Sequence, residues 1–281
     1  MLFSLHDLSH YINNKSPVPF QGKLQGLEKM MEWKTFFLLQ YPDTMTATGT
    51  EAALLEITEV LWWGNNGEVF GTTNQTYAIK QYRNTNQWAK AIQAYNILKA
   101  IGTHTWEFCY YSEENCILII PRMPGMQLTV NSSSYTKLLF HYFGDHHLPP
   151  ITNLDDIIRQ IYNDMKLCSN NSEEYGADAL LFSIDPNNGQ RHYTLGDLEL
   201  IEIDSSSSNI YSTNRSNSII SLLKHIILVY HAHPDFQDII NTTINWLKQG
   251  ILDDSEINEE MKSNYLAIIE NEYANNIHRK G

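Results

Sequence analysis

The sequence predicts an α+β protein, because its strand and helix signals are segregated along the chain instead of alternating. Three observations carry that expectation. Residues 56–122 hold five runs with strand character, "ITEVLWW", "GEVFGTT", "TYAIKQY", "WEFCYYS" and "CILIIPRM", around one helical stretch, "NQWAKAIQAYNILKAIG". Almost everything after residue 123 follows a helical period. A single strand island, "DALLFSID", "PNNGQ", "RHYTLGDLELIEID", interrupts that helical half.

In chain order, residues 1–55 read as an extension in front of the main domain. They contain a helical pattern, "LEKMMEWKTFFLLQ", and a turn-rich connector, "YPDTMTATGT". The helix within residues 56–122 stops at Gly102, a residue suited to the left-handed turn that ends a helix. "EEN" supplies a tight turn between the last two strands. After "PRMPGMQL", the stretch "TNLDDIIRQIYNDMKLC" carries Leu154, Ile157, Ile158, Ile161, Met165 and Cys168 on one face, with Thr152 and Asp155 placed as a capping pair. Three helices end the chain: "SIISLLKHIILVYHAH", "DFQDIINTTINWLKQG" and "SEINEEMKSNYLAIIENEYA". The first is apolar on nearly every side and is expected to be buried. The acidic run "DDSEINEE" reads as a solvated helix start.

Composition narrows the function classes. The 281 residues carry 32 acids against 19 bases, a formal net charge of −13. Such a surface repels phosphate backbones, so nucleic acid is a poor partner, and a protein partner with a basic surface is the favoured direction. Three cysteines in a chain of this length, Cys109, Cys116 and Cys168, form no disulfide framework and fit a reducing, cytoplasmic compartment. No run of 18 apolar residues suggests a membrane span, and "MLFSLHDLSH" lacks the features of a Sec-type signal. Export by a route that leaves no hydrophobic signal stays open.

The order of elements over about residues 56–245 resembles the protein-kinase fold in a short form, similar to the compact kinases that some bacteria deliver into host cells. The motifs that carry the resemblance are "GNNGEVFGTTNQTYAIK", "CILIIPRMPGMQL", "EEYGADALLFSID" and "LELIEID". The resemblance implies a two-lobed arrangement: an extension over 1–55, a sheet-rich lobe over 56–122 and a helical lobe over 123–281. It also implies ATP and Mg²⁺ as cofactors. Gly64 and Gly67 take the outer places of a shortened glycine loop over the phosphates, and Val69 the place of the valine that covers the adenine. "YAIK" makes Lys80 the residue that pairs with phosphates. Gln93 falls where the first helix carries a glutamate for that lysine, and the helix has no acid at all. The hinge that meets the adenine edge falls at Pro121–Met123, with Arg122 and Met123 able to donate a backbone N–H that proline lacks.

By the same resemblance Asp204, at the end of "LELIEID", is the expected metal ligand, although "SSS" follows it in place of Phe-Gly. Asp178 falls where the family has a metal-binding Asn, and Glu173, five positions earlier, where it has the Asp that orients the acceptor hydroxyl; no "HRD" is present. A second register at Asp185 and Asn188 is read more simply as an Asn-Gly turn. "LGD" at 195–197 resembles the "HGD" of small-molecule kinases, but Asp197 lies only seven positions before Asp204 and is set aside. "HYFGDHH" and "HAH" lack the helical spacing of a zinc hydrolase and read as surface polar residues. The implied activity is transfer of the γ-phosphoryl of ATP to a Ser or Thr hydroxyl of a protein. The alternative is a catalytically dead pseudokinase acting as a nucleotide- or protein-binding module, which Gln93 and the absent "HRD" and "DFG" favour.

Overall fold

The computed structural model describes residues 38–39, 53–54, 57–63, 66–72, 77–107, 109–112, 116–123, 126–128, 151–185, 188–230 and 233–278. These residues combine helices with small antiparallel sheets, an α+β protein. The chain divides into two compact units, residues 1–92 with 106–122, and residues 93–105 with 123–281. Gly64, the histidines of "HYFGDHH" and the turn "EEN" lie outside the described residues. So does most of the helix expected over "LEKMMEWKTFFLLQ". At its end, Leu38–Leu39 are extended and pair antiparallel with Ala53–Leu54, so that part is strand and not helix.

The first unit is built on a five-stranded antiparallel sheet. Its strands are β1 (Ile57–Trp63), β2 (Gly67–Thr72), β3 (Tyr77–Tyr82), β4 (Tyr110–Ser112) and β5 (Ile117–Pro121), in the order β1-β2-β3-β5-β4. Among the described residues of "WEFCYYS", the last three are strand. Directly opposite residues share a face, so Phe70, Ile79 and Ile119 line one side, and Val69, Lys80 and Leu118 the other. Residues 117–120 are buried without a break, which is why β5 reads as a continuous apolar run and not as an alternating one. Helix α1 (Thr85–Ile101) follows β3. It starts on Asn84, whose side chain accepts the Gln87 N–H at 2.9 Å. Trp88 in its first turns donates its indole N–H to the Ile117 carbonyl at 3.1 Å, fixing the helix on the sheet. Gly102, at φ +83°, ends the helix, and the Thr103 N–H returns to the Leu98 carbonyl.

Among its described residues the second unit holds two small sheets and four α-helices. Strands β6 (Met126–Leu128), β8 (Leu180–Ile184) and β9 (Arg191–Leu195) pair in the order β9-β8-β6, while β7 (Glu174–Tyr175) pairs with β10 (Ile201–Glu202). The turn between β8 and β9 has Gly189 at φ +74°. The helices are α2 (Leu154–Asn170), α3 (Ile210–Tyr230), α4 (Phe236–Leu252) and α5 (Glu259–His278). Helix α3 packs on the other three and buries Ile219, Leu222, Leu223, Ile226, Ile227 and Tyr230, as its all-round apolar sequence implies.

Two local readings change. Helix α2 is not capped by Thr152 with Asp155. Asn153 stands at its N-terminus, and its amide bonds the backbone of Arg191 instead, accepting the N–H at 2.8 Å and donating to the carbonyl at 2.9 Å. The acidic run "DDSEINEE" is not wholly solvated, because Asp254 is buried and ion-paired with Arg215. Tyr162 and Tyr211 donate to the same Asp254 oxygen at 2.8 and 3.0 Å, and the Glu256 N–H donates to the other at 2.9 Å. Among the described residues no helix is long and apolar enough to cross a membrane.

Candidate functional site

In the first unit the feature with chemical potential is Lys80. It sits in the middle of β3, opposite Val69 of β2 and Leu118 of β5, and is only 8% exposed. Its same-face neighbours along and across the strands are Ala78, Tyr82 and Ile120, so an ammonium rises from an otherwise apolar patch. Nζ lies 5.1 Å from the centroid of the Tyr82 ring, a cation–π distance that helps hold a charge removed from water. Ala78 and Ile120 belong to this surface and were not singled out by the sequence reading. Strand register would have found them, since both lie two residues from a face already named.

Gly67 has a structural reason to be glycine. A Cβ there would stand 2.1 Å from the Gln81 carbonyl oxygen, because β2 crosses β3 closely at this point. Asn66, directly before it, is held in place: its side chain accepts from the Gln87 amide at 2.9 Å and its carbonyl accepts the Arg83 N–H at 3.2 Å. Gln93 is exposed on α1, while Ala91, Ala94 and Leu98 form the buried stripe. At the end of β5, Arg122 is half-buried and Met123 buried.

In the second unit four carboxylates lie near the ends of short strands, in two separate places. Asp178 lies in a single 3₁₀ turn, Ala177–Ala179, directly before β8. The Ala179 carbonyl accepts the Gly196 N–H at 3.0 Å and the Asp197 N–H at 3.4 Å, which brings the Asp197 backbone to the residue that follows Asp178. The strand that returns along β8 is Arg191–Leu195, and Asp197 follows it. "LELIEID" is not that strand: Leu198–Leu200 is a 3₁₀ turn and only Ile201–Glu202 is extended, paired with β7. The seven positions between Asp197 and Asp204 therefore do not count against Asp197. The Asn188–Gly189 turn followed by five strand residues was the signal that points to it.

Asp204 goes elsewhere. It is exposed at φ +51°, and its backbone faces the Glu173 carboxyl. The Ser205 N–H donates to the Ser172 carbonyl at 2.8 Å, continuing the β7–β10 pairing to this point. Glu173 is 2% exposed and its Oε2 has no hydrogen-bond partner. Burial, then the nearby Asp204 charge, push its carboxyl above the usual range, against the lowering effect of the Asp204 N–H. The sequence-named residues thus form one pair, Glu173 with Asp204, and the Asp197 backbone meets the residue that follows Asp178. Among the described residues no three His, Cys, Asp or Glu side chains form a metal-binding group. Mg²⁺ does not need one, since it keeps several waters and takes one or two carboxylates plus substrate phosphates. The hard oxygen donors Asp178 and Asp197 fit that requirement.

No family model matches the chain. No curated protein matches it. Among solved structures, the chain is similar to one described as WaaP in complex with acyl carrier protein, with a TM-score of 0.36 and 10% identity, over 69% of this chain and 88% of that chain. A likeness of that size carries no conclusion about fold or activity, which rest on the residues themselves.

Proposed function

We propose that the chain is a kinase-like protein that binds ATP with Mg²⁺ and transfers the γ-phosphoryl group to a hydroxyl of a protein. The observation that carries this reading is Lys80: a buried ammonium at the centre of a five-stranded antiparallel sheet, on an apolar face, with a helix directly following its strand. An ammonium on an apolar strand face is suited to an anion that arrives with a flat apolar group. In this reading Val69, Ala78 and Ile120 contact the base, Lys80 holds phosphate oxygens, and Arg122 or Met123 offers a backbone N–H to the base edge. Gly64 and Gly67 belong to the loop over the phosphates. Asp178 and Asp197 hold Mg²⁺, which neutralises charge building on the phosphoryl group. Glu173 orients the acceptor hydroxyl, and Asp204 keeps that carboxyl high in pKa.

A second reading, a nucleotide-binding module without transfer, is favoured by a specific observation. Helix α1 carries no acidic residue, and Gln93, at the position the resemblance pairs with Lys80, is uncharged and exposed. A pseudokinase or regulatory role, including one inside a host cell, follows from that reading as well as from the first. The acidic balance of the chain suits a basic protein partner in either case.

Thermal melts with and without Mg·ATP test nucleotide binding, and incubation with labelled ATP and a basic protein substrate tests transfer. Wild type is expected to melt several degrees higher with Mg·ATP, and Lys80→Ala to lose that rise. Equal melting of both proteins with and without nucleotide would overturn the reading. A rise without transfer would leave the binding module.

A further inference from the structure

Arg191, on β9, is 3% exposed, and none of its three guanidinium nitrogens has a hydrogen-bond partner. The paired register places it on the same face of the β8–β9 hairpin as Phe182 and Tyr193. Helix α3 packs on that hairpin. From α3, the Tyr230 ring lies 4.9 Å from the guanidinium carbon, and the His225 ring stacks on Phe182 at 4.4 Å. His225 Nε2 has no partner either, nor does the hydroxyl of Ser221, one helical turn earlier on the same helix; both residues are buried. Among the described residues no acidic side chain pairs with Arg191.

We propose that Arg191, His225 and Ser221 form a buried binding site for a small inorganic anion of chloride size. A guanidinium taken out of water without a counter-charge is strongly disfavoured, and its five unmet N–H donors add to that cost. Burial moves the Arg191 guanidinium down to about 9, which still leaves it cationic at neutral pH. Burial, and then the Arg191 charge, hold His225 well below its usual value, so its imidazole is neutral and its Nε2 can donate to an anion. The site is independent of Lys80 and the strand-end carboxylates, and its test does not involve nucleotide.

The test compares thermal melts of the full chain in sodium chloride and in sodium gluconate at equal ionic strength, gluconate being too large for a buried site. Wild type is expected to gain a few degrees in chloride, with saturation as the concentration rises. Arg191→Met should melt alike in both salts, and in gluconate no lower than wild type, because it removes an uncompensated buried charge. Ser221→Ala keeps the charge, so it should keep the chloride effect and need a several-fold higher concentration for half of it. It serves as the readout should Arg191→Met not fold. Crystals grown in bromide are expected to show an anomalous peak beside the guanidinium. Identical wild-type melting in the two salts, or bromide crystals without that peak, would overturn the proposal.

Discussion

Gly67 shows how one residue can carry two arguments that point at different measurements. As part of a glycine-flanked loop it suggests backbone exposed to phosphate, yet the distance of 2.1 Å from a built Cβ to the Gln81 carbonyl is a packing constraint of the sheet itself. Gly67→Ala is therefore expected to cost about 1–3 kcal/mol of stability, as forced overpacking does. Urea unfolding of wild type and variant reads this directly, and an unchanged midpoint would show that β2 and β3 can separate without cost. Glu173 is the residue where charge decides. Its carboxyl is raised by burial and by Asp204, so replacing Asp204 with Asn removes a repelling charge and should bring the Glu173 titration down, which carboxyl-resolved NMR detects. In stability terms a raised acid favours the folded state below its unfolded pKa, and that advantage fades as pH rises through the folded value.

At the scale of elements, the ion pair of Arg215 and Asp254 joins α3 to the segment between α4 and α5, while Tyr162 brings in α2. Arg215 also lies against the Tyr265 ring of α5 at 5.2 Å and donates to the Gly250 carbonyl at the end of α4. Burial alone would raise the Asp254 carboxyl, but the hydrogen bonds from Arg215, the Glu256 backbone, Tyr162 and Tyr211 outweigh it and hold it at about 2. A fall from 3.8 to about 2 is a stabilisation of about 2 kcal/mol, fully present above about pH 4 and lost as pH falls through about 2. Asp254→Ala leaves Arg215 buried and unpaired and should cost about 3–5 kcal/mol, whereas exchanging both partners for apolar residues of similar size should recover most of it. Paired single and double variants in urea separate the two outcomes. This knot was not legible in "DDSEINEE", since an acidic run looks solvated until a cation from a helix nearly 40 residues earlier is folded against it. The strands were legible, because period and register are local: "YAIK" and "CILII" announce a buried strand pair on their own. The position of the carboxylate proposed for the metal was not, because it depends on which of two nearby stretches pairs with β8, and that choice is made by tertiary contacts.

For the molecule as a whole, the net charge of −13 sets the terms on which it can hold a nucleotide. ATP without metal carries about four negative charges at neutral pH, so the long-range field opposes its approach and one buried lysine must offset it locally. In the proposed reading Mg²⁺ would remove part of that repulsion, with Asp178 and Asp197 as the residues that would hold it. The affinity for Mg·ATP should then exceed that for free ATP by at least about tenfold, a difference of about 1.4 kcal/mol. Asp178→Asn with Asp197→Asn should abolish most of the difference while leaving free-ATP binding equal to wild type or tighter, since two repelling charges are gone. Asp204→Asn should change the difference little if Asp204 serves Glu173, and as much as the double variant if it is itself a metal ligand. Salt supplies an independent arm. Added sodium gluconate screens an unfavourable field, so free-ATP affinity should hold or rise with ionic strength, whereas a site run by a basic surface would weaken steeply. Calorimetric titrations of free ATP and Mg·ATP at low and high gluconate measure all of these quantities in one series. Equal affinity for the two nucleotide forms in wild type would remove the carboxylates from the site, and a steep fall of free-ATP affinity with salt would place the nucleotide on a basic patch instead of at Lys80.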